Sequence, residues 1–140
     1  MAETALKWPL IGLAALHGGL LLWALVGVAE MAFTSLPWPR ISNPLFPPHI
    51  LAIHWLSVLA TASIFLVGYA VKWPGTPVAV ACGYVAMAGV CFIETTQYLD
   101  HEGRWLAMGL EYAAYLGIGF YLLRTSYPQV YFGGTGGLPG

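Results

Sequence analysis

Charge is what this chain has least of: five Lys or Arg and six Asp or Glu in 140 residues, 8% of the whole. A soluble domain carries about a quarter charged residues. An ordinary water-facing surface is therefore excluded, and lipid or partner proteins must cover a chain that is 59% hydrophobic. Net charge is −1 and no basic run occurs, which argues against nucleic acid as a partner and against a polybasic lipid-surface anchor. Cysteine is also scarce. Cys82 and Cys91 fall within one apolar run, about 13 Å apart along a helix, too far for a disulfide, and they read as small apolar fillers. The sequence has no CxxC pair, CxxCH haem motif, nucleophile elbow or phosphate-binding glycine loop.

Long apolar runs are what the chain has in their place. Four of them, at residues 8–33, 49–73, 77–98 and 105–123, are each long enough for a hydrocarbon core about 30 Å thick. The first is too long for a secretory signal and lacks a small-residue cleavage site. The expected fold is an all-α integral membrane protein: an antiparallel four-transmembrane-helix bundle, one membrane domain over residues 1–140, with a C-terminal tail at 124–140. Trp73-Pro74-Gly75-Thr76-Pro77 and Asp100-His101-Glu102-Gly103-Arg104 mark tight breaks. The segment Thr34 to Pro48 holds five prolines. Because proline fixes φ, this loop is expected to be stiff and to lie over the end of the bundle as a lid. Phe132 to Gly140, rich in glycine, is expected to be mobile in isolation.

Lys7, Lys72 and Arg124 flank one side, Arg40 and Arg104 the other. Under the positive-inside rule this places both termini in the cytoplasm, as for a bacterial inner membrane. Trp8, Trp38, Trp73, Trp105, Tyr127 and Tyr131 fall near span ends, as an interfacial aromatic belt requires.

Three of the six acidic residues, Glu30, Glu94 and Glu111, lie inside these runs. A carboxylate in hydrocarbon must be paired, protonated or facing water, so each marks a functional site by default. From the same end of the bundle, His54 is expected about 8 Å down, Glu94 about 6 Å and Glu111 about 9 Å. Glu94, Gln97, Tyr98 and His101 share one helical face at i, i+3, i+4, i+7. Stripes of His54, Ser57 and Thr61, and of Met108, Glu111 and Tyr115, turn likewise toward neighbouring helices. Gly18, Gly19, Gly83, Ala113 and Gly117 are candidates for close helix approach.

Such a cluster has several readings. As interhelical glue, each hydrogen bond is worth about 0.6–2 kcal/mol. As a metal or acid–base site it would draw on Glu30, His54, Glu94, His101 and Glu111. Against metal, the Glu-x-x-His spacing of bundle metal sites is missing, and Glu94 and His101 are about 10 Å apart along the axis. As a quinone or lipid-like site it would use His54, Glu94, Tyr98, Glu111 and Tyr112, with Trp38 and Phe46 as cover. Among small residues in the opposite half, a histidine can ligate a pigment magnesium, but the expectation for His17 is a bond across to another helix or to a partner. Its depth differs from that of His54 by roughly 10 Å in a ~30 Å core, too much for one haem.

The functional expectation is a small accessory subunit of a larger membrane complex that handles electrons or protons, its Glu/His cluster lining or bracing a quinone, proton or metal site. The alternatives are a stand-alone membrane enzyme on a lipophilic substrate, with Glu94 or Glu111 as general acid/base and His54 as partner, or a metal or proton transport protein.

Overall fold

The computed structural model describes residues 2–33, 35, 37 and 39–133, the first six of them by backbone alone. Among the described residues the chain is helical throughout, with no strand. Helix α1 spans Ala2–Ala32, α2 Pro48–Val71, α3 Thr76–Ile93, α4 Arg104–Arg124 and α5 Ser126–Tyr131. The four segments Trp8–Ala32, Pro48–Val71, Thr76–Tyr98 and Arg104–Arg124 are each long and apolar enough to cross a membrane. The expected bundle is present, with span ends within two residues of those read from hydropathy.

Proline and glycine set the punctuation. Lys72 closes α2 in the left-handed region, at φ 54° and ψ 43°, and Pro74 prevents the helix from resuming. Thr76 then turns the chain, its Oγ1 donating to the Trp73 carbonyl at 2.6 Å. The turn is tight because Thr76 nests against Gly68 of α2, where any added Cβ would overlap its side chain. The same logic joins α2 to α3 at Gly83, whose missing Cβ leaves the space that Thr61 fills, and α1 to α2 at Gly27, which lies under the Trp55 indole. Gly83 was expected to act this way. Gly18, Gly19 and Gly117 face open space instead.

Packing follows chain order: α1 on α2, α2 on α3 and α3 on α4, whereas α1 and α4 scarcely touch. The buried core runs through Leu10, Leu13, Trp55, Phe65, Val80 and Tyr84. Helix α4 contributes little to it, burying Leu122 alone among its described residues.

The start of the tail departs from expectation. Residues 126–131 form α5, which folds back on α4 and α1. Phe132 is 1% exposed within the core, so it is not part of a mobile segment. Its burial, together with the Tyr131 ring stacked on Tyr69 at 5.1 Å and the Tyr131 hydroxyl donating to the Tyr69 carbonyl at 3.1 Å, supplies the anchorage that composition did not reveal. Trp8, Trp73 and Trp105 are exposed near span ends, whereas Tyr131 turns inward. Trp38, the side chain of Lys7 and residues 134–140 lie outside the described residues.

Candidate functional site

All four spans border one central cavity of about 270 Å³. Helix α1 supplies Leu16, Leu20 and Trp23, and α2 supplies His54, Ser57 and Val58. Tyr84 and Cys91 come from α3, Glu94 from the turn that follows it, and Glu111 and Tyr115 from α4. The cavity exists because α4 leans on α3 without closing against α1. Its walls are mostly apolar, and the polar groups form two small networks.

The first is His54 with Glu94. Nδ1 of His54 lies 2.9 Å from Oε1 of Glu94, with the two side chains 24% and 9% exposed. Glu94 sits where the α-helix gives way to a π-helical turn over Glu94–Tyr98. One extra residue in that turn shifts everything beyond it around the axis. Such bulges recur at functional sites. The second network centres on Glu111. Its Oε2 accepts from the Cys91 thiol at 3.2 Å, and its Oε1 accepts a short hydrogen bond from the Tyr115 hydroxyl. The two carboxylates thus enter the same space from different helices, each already held by a donor.

The sequence-derived residues divide on this geometry. His54, Glu94 and Glu111 come together as expected. The four-residue stripe on α3 does not hold. The π turn ends at Tyr98, Leu99 is extended at φ −89° and ψ 137°, His101 is exposed in the loop, and Gln97, within the turn, is exposed too. Tyr98 packs edge-on against Phe46 of the Pro-rich loop, ring centroids 6.0 Å apart, which leaves the lid reading in place for Phe46. Tyr112 faces α3 but does not line the central cavity. Its hydroxyl donates to the Ala88 carbonyl at 2.8 Å, and it borders a separate apolar groove between α3 and α4.

Glu30 is a correction to the metal reading. Its two carboxylate oxygens accept the backbone N–H groups of Ile41 and Ser42, at 2.6 and 2.9 Å. It is therefore a clasp for the Pro-rich loop. Trp55 seconds it, donating from Nε1 to Ser42 Oγ at 3.0 Å. With Glu30 engaged there and His101 exposed, the five-residue ligand set is not assembled. Among the described residues no three His, Cys, Asp or Glu stand together as metal ligands.

His17 bonds across to another helix, as expected, and this removes the pigment alternative. Its Nδ1 lies 2.7 Å from the Leu13 carbonyl, which only accepts, so Nδ1 carries the proton. Nε2 then accepts from the Tyr84 hydroxyl at 2.9 Å. Both ring nitrogens are occupied, the ring stacks on Phe65 at 4.1 Å, and none is left for a pigment magnesium or a haem iron. Sequence reading missed Cys91, Tyr84 and Ser42 as polar partners. Only the seven-residue spacing of Tyr84 and Cys91 on α3, which puts them on one face, could have signalled the first two.

Comparison with protein-family models, with curated proteins and with solved structures finds no match to this chain.

Proposed function

We propose that the protein is a small integral-membrane subunit of an electron- or proton-handling complex, and that its central cavity receives the head group of a quinone-like lipophile. The observation that carries this reading is the cavity itself: an apolar space bordered by all four spans and lined by both the His54–Glu94 and the Glu111–Tyr115 pairs. Ligand sites are mostly apolar with a few placed polar groups, and a quinone needs a donor or proton acceptor at each of two carbonyls. The volume of about 270 Å³ lies just below the usual range for whole drug-sized ligands, about 300–1,000 Å³. A single ring fits; a pigment macrocycle does not. The gap between α1 and α4 gives an isoprenoid tail a lateral way out to lipid. Electrons would come from a neighbouring redox subunit, and the exposed apolar face of α4, with Leu106, Leu110, Leu116 and Phe120 outward, is where neighbours or lipid must lie. Placement of the termini in the cytoplasm of a bacterial inner membrane follows from the charge bias and belongs to the same proposal.

A second reading draws on the His54–Glu94 contact, which is the geometry of a general acid–base pair on a lipophilic substrate. Mild-detergent purification separates the two. The subunit reading expects co-migration with larger polypeptides and an extractable quinone spectrum. A homogeneous 15.1 kDa species that binds no quinone analogue by quenching of Trp23 contradicts it. Glu94→Gln and Glu111→Gln are each expected to weaken analogue binding about tenfold, near 1.4 kcal/mol.

A further inference from the structure

We infer that His54 is a proton port: the side chain through which the central cavity exchanges protons with water at the loop end of the bundle. Two cavities meet at this ring. One is the central cavity. The other, about 190 Å³, lies beneath the Pro-rich loop and is lined by Trp23, Ile41, Phe46, Leu51, His54 and Trp55. His54 borders both. A cavity needs only about 10–15 Å³ to admit one water, with polar partners to hold it; the smaller space has that room, and His54 and Asn43 are the polar side chains that line it.

The ring is set up for passage. Nδ1 is committed to Glu94 at 2.9 Å, and no described residue hydrogen-bonds to Nε2. Its rim is aromatic rather than ionic: Trp55 meets the ring edge-on with centroids 4.7 Å apart, and Trp23 does so at 6.1 Å. The loop faces it with Ile41, Asn43 and Phe46, none of them titratable. Among the described residues Glu94 is thus the one ionisable side chain hydrogen-bonded to it, with Glu111, Cys91, Tyr84 and Tyr115 facing the same central cavity from α3 and α4.

The relay balances with one proton in and one out. Nε2 takes up a hydrated proton from the water side while Nδ1–H passes its proton to the Glu94 carboxylate, leaving a neutral ring protonated on Nε2 and a neutral Glu94. Glu94 releases that proton into the cavity; a turn of the ring, which keeps the tautomer but exchanges the sides its nitrogens face, then presents Nε2–H to Glu94 and the bare Nδ1 to water for the next transfer. The Glu30 clasp keeps the loop seated, so water reaches the ring through the small cavity and not through an open funnel. This role deepens the quinone reading and takes its purpose from it, but its geometry and its test need no ligand.

The test uses ligand-free protein in sealed vesicles. With Cys82→Ala, the single remaining S–H stretch belongs to Cys91, which donates to Glu111 in the cavity, and its conversion to S–D in deuterated buffer reports proton exchange with bulk water. General acid–base transfer contributes about 10²–10⁴-fold. His54→Phe and the shape-preserving Glu94→Gln are each expected to slow exchange by at least about tenfold, well inside that range, and Glu102→Gln, exposed at the same end, leaves it unchanged. Unaltered exchange in Glu94→Gln overturns the relay even if His54→Phe misfolds. For sidedness, His54→Cys in a Cys82→Ala, Cys91→Ser background should react with a charged, membrane-impermeant methanethiosulfonate added at the loop side. Labelling from the termini side alone, or from neither, overturns it. A quinone that fails to bind while these exchange results hold would sink the quinone reading and leave the port standing.

Discussion

Glu30 shows how much one side chain in hydrocarbon can organise. A lone carboxylate there is unfavourable, yet two backbone N–H donors from the Pro-rich loop meet it, and charge-assisted bonds of this kind are roughly twice as strong as neutral ones. The loop gains equally: five prolines deprive it of donors, and the N–H groups it keeps at Ile41 and Ser42 find their acceptor on α1. Glu30→Gln keeps the size but offers only one acceptor oxygen, so one loop N–H loses its partner. We expect a loss of about 1–3 kcal/mol, read as a lower unfolding midpoint in detergent, with faster proteolytic cleavage near Arg40. Unchanged cleavage would show that the loop is held by something else.

At the scale of the helix, close approach decides the packing. Thr61 of α2 occupies the space left by Gly83 on α3, and its hydroxyl turns back to the Ser57 carbonyl at 2.8 Å. Gly83→Ala forces the two helices apart and is expected to destabilise by about 1–3 kcal/mol, as overpacking does. Adding Thr61→Ala should recover most of the loss, and a double mutant no better than Gly83→Ala would contradict this packing. Element by element, legibility tracked how many residues carry each signal. The spans were readable because hydropathy sums over about twenty residues, and the common level of His54, Glu94 and Glu111 followed from a constant rise per residue. The π turn after Ile93 was not readable: it is a one-residue shift with no periodicity of its own, and with the helix end at Tyr98 it leaves Gln97 and His101 outside the site. Helix α5 was missed because six residues lie far below the length at which propensity alone makes a helix, and burial of Phe132 with the Tyr131–Tyr69 contacts sustains it. The partners of Glu111 and His17 depend on which side chains meet across helices, and single-helix periodicity does not report that.

For the whole molecule, the decisive feature is the incomplete ring of spans. Because α4 follows α3 and leaves α1 largely untouched, the bundle encloses a space and opens it sideways. The ionisable groups gather near the loop end of that space, and the buried His17–Tyr84 pair closes its wall toward the termini. The proposed ligand, proton route and lateral entry all depend on this arrangement. Photolabelling with an azido-quinone, followed by peptide mapping, tests it most directly. The account predicts label on cavity-facing segments of α1, α3 and α4, near Leu16–Trp23, Cys91–Glu94 and Glu111–Ile118, with loss of label when Ala114→Trp fills the cavity. Label spread over the outward faces of α4 and undiminished by Ala114→Trp would contradict it.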